Sequence, residues 1–110
     1  MKKLVIACLV SMLLLLLVPS ALGCYHPQAM NHNVRGIALA REGQYEQAIL
    51  EFNKAIEIDP DYGDAYFGRG LAYVEKGEVA KAVSDLEKCI KLSDDSDVVK
   101  VAQEILDELR

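Results

Sequence analysis

Laid against itself, the 110-residue chain matches at an offset of 34 residues. Arg35-Gly36 recurs as Arg69-Gly70, Ala38 as Ala72, Gly43 as Gly77, Ala48 as Ala82, Lys54 as Lys88 and Ile56 as Ile90. The pairs Ile37/Leu71, Ile49/Val83, Phe52/Leu86 and Ile58/Leu92 keep apolar character across the same interval. A period of about twenty to fifty residues marks an array whose units are too small to bury their own apolar faces and must stack on a neighbour. Within the period the spacing is helical, with Ala48, Ile49, Phe52, Ala55, Ile56 and Ile58 close to a 3.6-residue stripe. Gly43 and Gly77 fall between two such stretches, where the turn of a helical hairpin favours a positive φ. Gly36 and Gly70 lie inside helices, where glycine costs about 1 kcal/mol against alanine, so a neighbouring helix backbone is expected to pass too close for a Cβ. Pro60 stops the second helix, and Asp61 with Gly63 makes the connection onward. Val98, Val101, Ala102, Ile105 and Leu109 form a last stripe opposite Lys100, Gln103, Glu104, Asp107 and Glu108, with Asp97 as the expected N-cap. Five helices are predicted, at 30–42, 45–58, 64–76, 79–92 and 97–109.

The pattern resembles the tetratricopeptide repeat family, in which one helix carries W-x₂-L-G-x₂-Y and a second carries A-x₃-F before a closing Pro. Gly36, Gly43, Tyr45, Ala48, Phe52, Ala55 and Pro60 fill the first copy, and Tyr66, Gly70, Tyr73, Gly77, Ala82 and Leu86 the second. The departures are His32 for an aromatic, Arg35 and Arg69 for Leu, Leu39 for Tyr, Cys89 for Ala, and Asp94 for Pro. The resemblance covers roughly Met30 to Asp94. It implies an all-α fold, a right-handed α-solenoid of two hairpins (30–62 and 63–94) closed by a capping helix at 95–110. It also implies that a protein or peptide partner lies in the concave surface formed by the first helix of each repeat. On this chain that face comprises Asn33, Ile37, Ala40 and Arg41 from the first repeat and Phe67, Leu71, Val74 and Glu75 from the second, with Phe67 as the expected aromatic anchor. The Lys and Asn set with which some members clamp a C-terminal carboxylate is not matched, because Ile37, Phe67 and Leu71 stand there. Two repeats fall short of the roughly three usually required for stability. A homo-dimer or larger structural oligomer is therefore the alternative use of the same face.

The N-terminus reads as an address. Met1-Lys2-Lys3 precedes an uncharged run from Leu4 to Val18 and then Pro19-Ser20-Ala21-Leu22-Gly23-Cys24, the three regions of a signal peptide over 1–23. Fifteen helical residues would reach roughly 22 Å against the roughly 30 Å of a bilayer core, which disfavours a permanent span. Ala21-Leu22-Gly23-Cys24 resembles the bacterial lipobox, which implies lipidation of Cys24 and anchoring at the outer face of a bacterial membrane. Ala21 and Gly23 equally supply the small residues of an ordinary signal-peptidase site, and the product would then be secreted or periplasmic. Residues 24–29 are expected to form a tether.

No chemistry beyond binding is expected. Setting aside Lys2 and Lys3 from the 12 basic residues leaves ten against 17 acids, about −7 in charge, so the folded part repels phosphate backbones and nucleic acid is excluded. Cys24, His26 and His32 are the one conceivable metal cluster, but His32 falls at a packing position, and no metal or cofactor is expected. Cys89 lies where a small buried residue is wanted, and is read as a structural thiol rather than a nucleophile or the partner of Cys24 in a disulfide. Asp94-Asp95 and Asp107-Glu108 are read as solvated helix ends. The chain is expected not to be an enzyme.

Overall fold

The computed structural model describes residues 26–110; the expected signal peptide and Cys24 lie outside the described residues. Those residues form five helices and no strand: α1 (Pro27–Arg41), α2 (Tyr45–Ile58), α3 (Gly63–Glu75), α4 (Val79–Leu92) and α5 (Ser96–Leu109). None of them is long and apolar enough to cross a membrane. Helices α1 and α2 form one hairpin and α3 and α4 a second, with α3 packed on α2, α5 packed on α4, and the first-type helices α1, α3 and α5 adjacent in series.

The two hairpin turns are copies of each other at the level of single hydrogen bonds. Gly43 adopts φ +80° and Gly77 φ +76°. In the first turn the Gly43 N–H donates to Ala40 O at 3.0 Å and the Gln44 N–H to Leu39 O at 2.9 Å; in the second, Gly77 donates to Val74 O at 3.0 Å and Glu78 to Tyr73 O at 2.9 Å. This doubly bonded helix ending satisfies carbonyls that would otherwise lack partners, and its left-handed residue is the reason for glycine. Helix starts differ from one another. Pro27 opens α1, where its missing N–H removes nothing the helix would use, so the expected tether loses its last residues to the helix. Asp95, rather than Asp97, caps α5, its carboxylate accepting from the Asp97 N–H at 2.9 Å and the Val98 N–H at 3.4 Å. Asp97 instead sits in the first turn, where its charge favours the positive helix end.

The interior is built from alanines that let helices approach and a few large side chains that fill the seams. Ala48, Ala55, Ala65, Ala82 and Ala102 are fully buried, as are Phe52 and Leu86. Gly36 and Gly70 are not explained by helix backbones passing close, as the sequence suggested, but by side chains. A Cβ at Gly36 would stand 2.6 Å from Phe52 Cε1, and one at Gly68 would stand 2.6 Å from the same atom. The Phe52 ring is thus lodged between α1 and α3 on two missing side chains. At Gly70 the equivalent contact is looser, 3.2 Å to Leu86 Cγ, because leucine replaces the ring.

Residues 34, 68 and 102 make the stacking rule visible. Gly68 meets Phe52 of the hairpin before it, Ala102 packs with Leu86 of the hairpin before it, and Val34, with no earlier hairpin among the described residues, is 58% exposed. Helix α5 therefore stands where a third repeat would begin. On its outer side Glu104 occupies the position of Gly36 and Gly70 and is exposed, so nothing need pack there.

Candidate functional site: a groove between α1 and α3

Adjacent first-type helices leave an open groove of about 290 Å³ lined by Ile37, Ala40, Arg41, Tyr45, Phe52, Gly68, Leu71, Ala72 and Glu75. Its floor exists because Gly68 has no side chain over the Phe52 ring. Ile37 and Leu71, one period apart, form the two apolar walls. Arg41 and Glu75, each four residues further on and so one turn along the same helix face, stand at the end of the groove where α1 and α3 terminate.

Of the residues assigned to the concave face from sequence, Ile37, Ala40, Arg41, Leu71 and Glu75 come together in this groove. The others do not. Asn33 is only 5% exposed and donates through Nδ2 to the Tyr62 hydroxyl at 3.3 Å, so it holds α1 against the inter-repeat loop rather than facing a partner. Phe67 packs against the cluster of Leu86, Cys89, Ala102 and Leu106. The expected anchor is therefore part of the seam that α3 and α4 form with α5. Val74 is half-buried and does not line the groove. Sequence reasoning missed Tyr45, Phe52, Gly68 and Ala72 as groove residues. The signal for Gly68 was its 34-residue spacing from Val34 and Ala102.

Polar ties join the helices outside the groove lining. Arg69 donates through Nε and Nη2 to the two oxygens of Asp85 at 2.8 and 2.7 Å, through Nη1 to Asn53 Oδ1 at 2.9 Å, and stacks over the Tyr66 ring at 5.5 Å. One guanidinium thereby joins α3 and α4 to α2 of the preceding hairpin. Its equivalent, Arg35, is exposed; the matching acid, Glu51, is taken by His32 at 2.7 Å and Lys54 at 3.1 Å. Those two hydrogen bonds, His32 first, hold the Glu51 carboxyl below its ordinary value.

Two other places were candidates for chemistry. Cys89 is fully buried and free. Burial, followed by the charge of Asp64, pushes its thiol up to about 11, which leaves it protonated and unreactive near neutral pH. Asp59, Asp61, Asp64, Asp94 and Asp95 surround a hollow at the inter-repeat loops, yet no group of three or more His, Cys, Asp or Glu among the described residues is arranged to hold a metal ion.

Comparison with known proteins accounts for the geometry. A family model described as TPR repeat matches residues 36–77, and one described as tetratricopeptide repeat matches residues 63–96. The chain is similar to an uncharacterized protein of Methanocaldococcus jannaschii, with 45% identity over 38 residues, 34% of this chain and 44% of that one. It is also similar to a UDP-N-acetylglucosamine–peptide N-acetylglucosaminyltransferase of Giardia intestinalis, with 33% identity over 61 residues, 56% of this chain and 4% of the enzyme. The chain thus spans less than half the length of either relative. The paired hairpins, the repeated turns and the two overlapping matches across residues 36–96 identify the chain as a member of the tetratricopeptide repeat family.

Proposed function

We propose that the protein is a non-catalytic adaptor of the bacterial cell envelope, lipid-anchored through Cys24, which holds a segment of a partner polypeptide in the groove between α1 and α3. The observation that carries the reading is that groove: an open apolar floor with walls from Ile37 and Leu71 and with charge confined to one end. Apolar surface that is rimmed by polar groups and uncovered by the chain's own packing is the usual mark of an interaction site. The acidic surface argues against nucleic acid as the partner.

A photoreactive amino acid placed at Leu71, with a second variant carrying it at Ser84 on the far side of the hairpin, tests the reading in native membranes. A partner crosslinked from position 71 and not from 84 is expected. Equal capture from both, or capture from 84 alone, rejects the groove. The anchor has its own test. Cys24→Ala should abolish fatty-acid labelling and release the protein from membranes, whereas a wild-type protein that is cleaved but unlabelled would refute lipidation and leave the groove reading intact.

A second reading, a structural homo-oligomer, draws on Met30, Val34 and Ile37, which are 42%, 58% and 37% exposed on one stripe of α1. Light scattering distinguishes the two: a mass of one chain across the micromolar range excludes the oligomer.

A further inference from the structure

We propose that the groove receives an amphipathic helix of the partner, presenting one aliphatic side chain and, one turn further along, an acidic and a basic side chain next to each other. The inference rests on the groove as the working surface and adds the chemistry of its occupant. Three observations carry it. Ile37 and Leu71 flank an apolar notch whose floor is opened by Gly68, and a notch of that size takes an aliphatic side chain. Arg41 and Glu75 lie one turn beyond those walls, on opposite sides of the seam, both exposed and neither in an ion pair among the described residues. Their charged neighbours are already engaged: Lys76 with Glu46 at 3.6 Å and Glu78 at 3.4 Å, and Glu42 with the Gln44 side chain at 3.1 Å.

Helix termini sharpen the asymmetry. Arg41 is in the last turn of α1, where a cation suits the partial negative charge of the helix end. Glu75 ends α3, which has no basic residue in its last turn, and the C-cap Lys76 is drawn to Glu46 and Glu78, so acid and helix end together present negative charge. A cation of the partner belongs there, and an anion beside Arg41.

A helix satisfies this layout and an extended strand does not. In a helix, residues three and four beyond a given one lie one turn further on, to either side of its line. In a strand, side chains on one face follow a single line about 7 Å apart, so they cannot straddle a seam. The sequence pattern expected in the partner is therefore an aliphatic residue followed at three and four positions by opposite charges, or the reverse pattern if the helix runs the other way.

The test titrates alanine-based helical peptides of about 16 residues into the isotopically labelled full chain, following the backbone amides of Ile37 and Leu71 by NMR. One peptide carries leucine with glutamate and lysine at the third and fourth following positions, in either order; others carry two glutamates, two lysines, or alanine for leucine. The mixed-charge peptide is expected to bind best in one of its two orders. Each like-charge peptide should bind about threefold more weakly, and the peptide without leucine about tenfold more weakly. Arg41→Glu should shift preference to the two-lysine peptide and Glu75→Lys to the two-glutamate peptide. Equal binding of all charged peptides at the groove amides would overturn the proposed occupant while leaving the groove in place. No response at Ile37 or Leu71 to any peptide would overturn both.

Discussion

Replacing Gly36 by alanine sets two opposed effects against each other, and the structure decides which is larger. Alanine in a helix interior is favoured over glycine by about 1 kcal/mol, so on propensity alone the variant gains stability. Its Cβ, however, would stand 2.6 Å from Phe52 Cε1 and 2.8 Å from Phe52 Cδ1, closer than carbon atoms approach. The ring is fully buried in the seam between α1 and α3, so it can yield only by repacking its neighbours. Overpacking of a filled site costs about 1–3 kcal/mol, so a net loss of roughly 1 kcal/mol is expected, seen as a fall of about 4–8 °C in melting temperature for a domain of this size. Gly70→Ala is the control: its nearest contacts, 3.2 Å to Leu86 Cγ and 3.3 Å to Asp85 Cβ, need a shift of only a few tenths of an ångström, so gain and cost roughly offset and the change should stay within about 0.5 kcal/mol. Phe52→Leu alone should destabilise by about 1 kcal/mol, but combined with Gly36→Ala it makes room for the new methyl group. Urea unfolding followed by circular dichroism should then give a coupling of about 1 kcal/mol between the two sites. A Gly36→Ala protein as stable as the wild type, or effects that simply add, would mean that the ring is not lodged against α1.

Three further tests address other parts of the structure. Gly70→Leu, which drives a whole side chain into the α3–α4 crossing, should lower stability by at least about 1–3 kcal/mol; an unchanged melting temperature would show the repeats to be misaligned. Glu51→Gln removes a carboxylate held below its ordinary value by His32 and Lys54. A depressed native pKa stabilises above the unfolded value and is lost as pH falls through the native one, so the difference from wild type should be full at neutral pH and disappear in acid below the usual carboxylate range. Cys89, buried and with its thiol near 11, should react with a thiol reagent in the native protein about a hundredfold more slowly than in denaturant.

The fold was legible because an array repeats its constraints. The four helix-to-helix boundaries follow from Gly43, Pro60, Gly77 and the run Asp94–Asp97 to within one residue at most positions, since each boundary is set by local turn chemistry. Errors lie where a choice between equivalent local groups depends on the approach of the chain. Asp95 and Asp97 are both good caps, and the Ser93 hydroxyl, which accepts the Asp95 N–H at 3.2 Å, selects the first. The groove was half legible. Ile37, Arg41, Leu71 and Glu75 follow from the repeat register alone, whereas Asn33 and Phe67 share that register but are drawn into contacts with Tyr62 and with the C-terminal cluster. Those contacts depend on which side chains the neighbouring helix and the inter-repeat loop present, which the spacing of the repeat alone does not give.

Most directly, the central claim is tested by Leu71→Asp, which places a charge on one wall of the groove at a half-buried position outside the two core clusters. Melting temperature and partner crosslinking from a photoreactive residue at position 37 should be measured on the same variant. A folded protein that has lost the crosslinked partner is the expected result; a folded protein that captures the partner at the wild-type level would contradict the groove as the working surface.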